Sequence, residues 1–174
     1  GRRRNQASAD ALYISVVDQA RMPVFYAVLG VPDTVDGRFD MIALHAFLLL
    51  HRLRGEPSAA DLGQDVFDLM FADMDRNLRE MGVGDLSVGK RIKTMAGAFY
   101  GRIGAYDAAL EADDPQALED ALRRNLFRGT APADGQVAAL AAYMRDQAAS
   151  LADQPLDRLL AGKVVFAPPQ AALA

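Results

Sequence analysis

The chain has 174 residues, of which 51% are hydrophobic and 24% charged, a balance typical of a folded globule rather than a disordered chain. It contains no cysteine, which excludes disulfides, zinc–thiolate sites, iron–sulfur clusters and cysteine nucleophiles. A net charge of −4 at pH 7 disfavours nucleic-acid binding through the whole surface and leaves only a local basic patch for that role.

The first two predicted helices make up the N-terminal third of the chain. Apolar residues near a 3.6-residue period predict a helix from Ala9 to Leu29, in which Pro23 should introduce a kink or a break. A second helix is predicted from Gly37 to Arg54, and it is apolar on nearly every side from Ile42 to Leu50. A helix that is apolar all round is usually the buried centre of its domain.

The third predicted helix, from Ala59 to Met81, carries apolar residues on one stripe and charged residues on the other face. Ser58, followed three residues later by Asp61, resembles a capping box at its start. Further helices are predicted from Ser87 to Glu111, from Pro115 to Arg128 and from Asp134 to Leu151, with a short turn from Pro155 to Leu160.

The C-terminal tail, residues 162–174, differs from the rest because it contains two adjacent prolines and no helical period. We expect it to form an extended strap over the body or a disordered end. The sequence therefore predicts an all-α fold: a single compact bundle of about six to seven helices with an irregular tail. We expect one domain, residues 1–174, with a core at about 9–161 and no internal repeat.

The longest apolar stretch is too short for a membrane span. Met41 to Leu50 rises about 15 Å as a helix, half of the roughly 30 Å hydrocarbon core of a bilayer. The opening residues also lack the apolar segment of a signal peptide. We therefore expect a soluble cytoplasmic protein, with peripheral contact to the cytoplasmic face of the inner membrane left open.

The motifs that suggest chemistry are weak. Residues 84–91 match the glycine and lysine spacing of a phosphate-binding loop, but a helix precedes them and no Ser or Thr follows the lysine. His45 and His51 are the only histidines, and neither forms a Glu-x-x-His pair. Asp73 and Asp75 diverge by about 200° on a helix, so they cannot share a proton or a metal. We predict no catalytic residue, no cofactor and no metal site.

Charge is dense around the corner after the third helix. Basic residues at positions 76, 79, 90, 91 and 93 lie close in sequence to acidic residues at positions 73, 75, 80 and 85. A solvated face is the ordinary interpretation. The alternatives are a partner-binding surface or contact with RNA or anionic lipid.

Several segments together resemble the ubiquinol–cytochrome c chaperone family. They are residues 20–26, 31–40, 44–45, 70–85, 88–91, 99–102 and 105–106. The resemblance implies an all-helical, non-catalytic assembly factor for respiratory complex III, here an α-proteobacterial relative. Mitochondrial members act on newly made cytochrome b, pair with a second small protein, and associate with the ribosome and the inner membrane.

On this resemblance we predict a binding surface rather than a reactive centre. The residues predicted to contact a client or partner are Asp36, Arg38, Asp73, Asp75, Arg76, Arg79, Lys90 and Arg91. The alternative is that these charges form an internal ion-pair lattice that fixes the helix angles. A chaperone of this kind requires an exposed apolar groove rimmed by polar residues.

Two other functions stay open from the sequence. The first is an RNA- or ribosome-binding module that uses the basic residues near Lys90 and at positions 2–4; it predicts affinity that falls steeply with salt. The second is a small helical enzyme, which requires a polar pocket containing His45 or His51 beside carboxylates. DNA is not an expected partner.

Overall fold

The structure, a computed structural model, describes residues 2–169. The helices are α1 (Arg2–Ala20), α2 (Val24–Ala27), α3 (Val35–Leu53), α4 (Ala60–Glu80), α5 (Asp85–Glu111), α6 (Pro115–Asn125), α7 (Asp134–Asp153) and α8 (Leu156–Leu160). Residues 2–169 contain no β-strand, which confirms the predicted all-α class. Most helix ends lie within a few residues of their predicted positions.

The first predicted helix is two helices in the structure. α1 ends at Ala20, and α2 begins after Pro23, which lacks the N–H that a continuing helix would require. The predicted start at Ala9 is wrong, because α1 already begins at Arg2. Its first turns are polar and show no apolar period, which is the signal that predicts a helix from Ala9 onward. They are helical nevertheless, because Arg, Gln and Ala are adequate helix formers.

The starts of α3 and α4 are stabilised differently. Thr34 caps α3, since its side-chain oxygen accepts a hydrogen bond from the backbone N–H of Gly37. The predicted cap by Ser58 is wrong: residues 57–59 form a 3₁₀ turn, and α4 begins with no side-chain cap. The backbone N–H of Ala59 bonds the carbonyl of Glu56 instead, so the tight turn closes without the serine.

α3 runs through the centre of the molecule, as its apolar sequence predicts, and most of its side chains are buried. One apolar cluster on its flank joins α2, α6, α7 and the C-terminal half of α5, and a second joins α1, α4, α8 and the first half of α5. Ile42 of α3 packs against both clusters. No helix within residues 2–169 has the length and apolarity that crossing a bilayer requires.

Residues 163–169 form an extended strap across the body. Two glutamines hold its backbone, Gln147 in α7 and Gln154 directly after it: Gln154 donates to and accepts from Val165 at 2.8 and 3.0 Å, and Gln147 does the same with Ala167. Phe166 packs against both apolar clusters. Of the two predicted forms of the tail, a strap or a disordered end, residues 163–169 adopt the strap. Residues 170–174 lie outside the described part of the chain.

Candidate functional site

Two depressions flank Phe39 in the first half of α3, and they are the candidate site. The first, the apolar groove, has a volume of about 420 Å³ between α1, α3 and α4. It is lined by Val17, Arg21, Val35, Arg38, Phe39, Ile42, Asp73, Met74, Asn77, Glu80 and Met81. The two helix ends that bound it place Val35 and Met81 at its rim, 42% and 57% exposed.

Two charged side chains of the apolar groove are held by neighbours. Asp73 accepts a 2.7 Å hydrogen bond from the Tyr13 hydroxyl and lies 3.3 Å from the Arg76 guanidinium. Burial and this bond raise the pKa of Tyr13, so the phenol stays protonated and donates. Arg38 pairs with Asp33 at 2.7 Å. The groove thus combines an apolar floor with two charged side chains, Arg38 and Asp73, that already have partners.

The second depression, the basic pocket, has a volume of about 310 Å³ between α3, α5 and the segment after α6. It is lined by Asp36, Phe39, Asp40, Lys90, Arg91, Thr94, Met95, Ala98, Arg102 and Arg128. Phe39 is shared with the apolar groove, so the two depressions meet at one buried side chain.

A buried ion triplet forms the inner wall of the basic pocket. Asp40, only 4% exposed, lies 2.7 Å from Arg102 Nη1 and accepts hydrogen bonds of 2.8 and 3.0 Å from Arg128 Nη2. Burial raises the pKa of the Asp40 carboxyl, and the attraction of both guanidinium groups opposes this rise. None of these three residues is among those predicted from the sequence, although Asp40 and Arg102 lie in segments that carry the family resemblance.

The structure divides the eight predicted partner-binding residues into three groups. Arg38 and Asp73 line the apolar groove, and Asp36, Lys90 and Arg91 line the basic pocket. The remaining three form pairs along the exposed face of α4: Arg79 with Asp75 at 2.6 Å and with Asp85, and Arg76 with Asp73. Exposed pairs of this kind contribute little to stability. The buried lattice lies instead at Asp40.

His45 is a core histidine with both nitrogens hydrogen-bonded. Its Nδ1 donates to the Met41 carbonyl at 2.8 Å, so Nε2 accepts from the Tyr143 hydroxyl at 2.7 Å. Tyr143 in turn accepts from the Gln19 side-chain amide at 2.9 Å. Burial lowers the pKa of His45 to about 4, so the ring is neutral at pH 7. It is fully enclosed, which removes the polar pocket that the enzyme alternative needed at this position.

The other weak motifs also have structural explanations. His51 Nδ1 lies 2.8 Å from Asp107 Oδ1, and Arg54 pairs with the same carboxylate. Residues 84–91 form the start of α5 rather than a phosphate-cradling loop, and the positive φ of this corner is at Gly82. Residues 2–169 hold no group of three or more His, Asp or Glu side chains arranged to bind a metal ion.

Comparison with known proteins identifies one consistent set of relatives. The profile of a family described as Ubiquinol-cytochrome C chaperone matches residues 27–166. The chain is 42% identical to the crystal structure of the Cbp3 homolog from Brucella abortus, with a TM-score of 0.85 over 95% of this chain and 91% of that one.

Curated relatives come from animals and yeast. Ubiquinol-cytochrome c reductase complex assembly factor 1 is 28% identical to this chain in both Drosophila melanogaster and Homo sapiens, over 90% of its length. Protein CBP3, mitochondrial, of Saccharomyces cerevisiae is 29% identical over 83%. The chain spans 62%, 53% and 44% of the lengths of these three proteins, respectively.

Proposed function

Because the chain belongs to the ubiquinol-cytochrome C chaperone family, we propose that it assists assembly of ubiquinol–cytochrome c reductase by holding newly made cytochrome b. The membership confirms the resemblance seen in the sequence. The names of the animal relatives support the assembly role, and they describe assembly factors rather than enzymes, as the sequence predicts. Cytochrome b is the client that the family resemblance implies.

The apolar groove is the observation that carries this proposal. A subunit of a membrane complex exposes apolar side chains until it reaches its partners, and a chaperone must cover some of them. Val35 and Met81 are two of the large apolar side chains that the molecule leaves exposed, and both lie at the rim of this groove. A volume of about 420 Å³ accommodates a few side chains, so the groove suits anchor residues of an apolar client segment.

The groove can be tested in the native host by deleting the gene and restoring it in wild-type or variant form. We expect deletion to lower the haem b absorbance of membranes and wild type to restore it. A Val35→Glu, Met81→Glu variant places two charges where the client's apolar side chains would bind. Burying these charges costs free energy, so we expect the variant not to restore the haem b absorbance.

The control for this experiment is Leu86→Glu, which adds a charge at a side chain that is 87% exposed and lines neither depression. It should restore haem b fully. Both variants should melt close to wild type, since all three side chains are exposed. Unchanged haem b in the deletion strain would contradict the proposed client, and full rescue by the double variant would contradict the groove.

The finer partner assignments stay predictions. Contact with the ribosome, with a small co-chaperone or with the inner membrane is implied by the family resemblance alone. Partner binding by the eight charged residues is also untested; the geometry favours Arg38 and Asp73, because they line the apolar groove.

A further inference from the structure

We propose that the basic pocket binds a phosphate group, carried either by a free small molecule or by a lipid headgroup. Four cationic side chains and two carboxylates line this pocket, which leaves a surplus of two positive charges in one concave site. The inference goes beyond the proposed function, because it concerns the side of α3 facing away from the apolar groove and requires no protein client.

The surplus charge is located at the outer part of the pocket. The Asp40 carboxylate lies between Arg102 and Arg128 and forms an ion pair with each of them. Lys90 and Arg91 are exposed on the first turns of α5, and within residues 2–169 neither has an acidic side chain in ion-pair distance. Two cations beside each other without a counter-charge repel, and an anion between them and the inner arginines relieves that repulsion.

The inner wall supplies a second, independent observation. The Arg102 side chain is only 7% exposed, and its Nη1 lies 2.7 Å from Asp40 Oδ1. A guanidinium has five N–H donors, and Arg102 shares this one acidic partner with Arg128. Since the same guanidinium lines the pocket, an oxyanion bound there adds acceptors that Asp40 alone does not provide.

Charge and size favour phosphate over a single carboxylate. A phosphate monoester carries close to two negative charges at pH 7 and so matches the surplus, whereas the side chain of an acidic peptide carries one. Guanidinium groups form paired hydrogen bonds with phosphate oxygens, and three of the four cations are arginines. A volume of about 310 Å³ accommodates a phosphate with a small attached group.

The charge of Asp36 can be used to test whether the pocket binds an anion or a cation. Its exposed carboxylate lines the pocket, and no described lysine or arginine forms an ion pair with it. Removing this charge by Asp36→Asn takes away repulsion toward an anion and so should tighten phosphate binding. The same substitution would weaken binding of a cation.

The binding test uses the purified chain and two probes. Inorganic phosphate is titrated by calorimetry, and vesicles of phosphatidylcholine with or without phosphatidic acid, whose headgroup is a phosphate monoester, are tested by co-sedimentation. We expect Lys90→Ala, Arg91→Ala to weaken binding at least about tenfold, because two charge-assisted contacts are lost. We expect Asp36→Asn to strengthen binding several-fold.

The matched control is Lys93→Ala, which removes an exposed cation of α5 that does not line the pocket. It should bind both probes like wild type. Binding of phosphate would identify a free ligand, and binding of only the phosphatidic acid vesicles would identify a lipid headgroup. The proposal is overturned if neither probe binds, if the double variant binds normally, or if the pocket takes only an acidic peptide such as polyglutamate. None of these outcomes depends on cytochrome b.

Discussion

In the interior of this molecule, hydrogen-bond partners fix the state of individual polar side chains. His45 is the clearest example, since a backbone carbonyl fixes its tautomer and a tyrosine hydroxyl occupies its other nitrogen. Protonation of the ring would require Nε2 to donate toward the hydroxyl hydrogen that Tyr143 now presents, inside a site without solvent contact. The neutral form of the ring is therefore favoured at pH 7.

This state of His45 predicts acid sensitivity. The pKa falls from an ordinary 6.5 to about 4 on folding, so the unfolded chain takes up the proton first as pH falls. The stability that neutral His45 contributes is present above pH 6.5 and is lost as pH falls toward 4. The loss from this residue amounts to about 3 kcal/mol.

The measurement is urea unfolding at several pH values between 7 and 4, for wild type and for His45→Gln. Glutamine does not titrate and can still accept from the Tyr143 hydroxyl. We expect the variant to be less stable at pH 7 but to lose less stability on acidification. Parallel pH profiles for the two proteins would show that His45 does not govern the acid response.

Charged residues show what the sequence could predict at the scale of single residues. Lys90 and Arg91 are exposed, as charged side chains usually are, and both line the basic pocket. Asp40 was missed because it lies between Phe39 and Met41 on an apolar helix, where the sequence offers no sign of its partners. Its arginines are about 60 and 90 positions away, and only packing brings them together.

At the scale of elements, the start of α3 depends on a close approach of two backbone segments. A Cβ added to Gly37 would lie 1.9 Å from the carbonyl oxygen of Pro32, far inside van der Waals contact. Gly37 also donates its N–H to the capping Thr34. The first turn of α3 positions residues of both depressions, so this contact supports the whole candidate site.

We therefore expect Gly37→Ala to destabilise the protein by at least about 2 kcal/mol, because the loop or the helix must move to admit one methyl group. Thermal unfolding followed by circular dichroism measures this change. Gly101→Ala is the matched control, since a Cβ at Gly101 in α5 meets no atom within 4 Å. It should stabilise the protein by about 0.5–1 kcal/mol through helix propensity. Equal effects of the two substitutions would argue against the contact with Pro32.

At the scale of the whole molecule, one helix and one strap connect the two apolar clusters. α3 packs on both, and Phe166 reaches both while its ring lies 5.4 Å from that of His45. Gln147 and Gln154 fix the strap through its backbone, so its position does not depend on the identity of each side chain. The clusters are therefore expected to unfold together.

Phe166→Ala should lower the free energy of unfolding by about 2 kcal/mol, since it removes apolar contacts on both clusters. Val165→Ala should have little effect, because that side chain is 63% exposed and its backbone bonds to Gln154 are retained. Urea unfolding followed by both circular dichroism and tyrosine fluorescence should show one transition for each variant. Two separate transitions in wild type would show that the clusters unfold independently.

The sequence by itself determined the helical class, the central position of α3, the break at Pro23 and the family, because these depend on local periodicity, backbone chemistry and contiguous motifs. Only the tertiary structure decided which charges are buried and where the two depressions lie. Those features depend on contacts between helices distant in sequence, such as Asp40 with Arg102, and on the depth at which each helix packs. A pattern along one chain records which face of a helix is apolar but not which neighbour covers it.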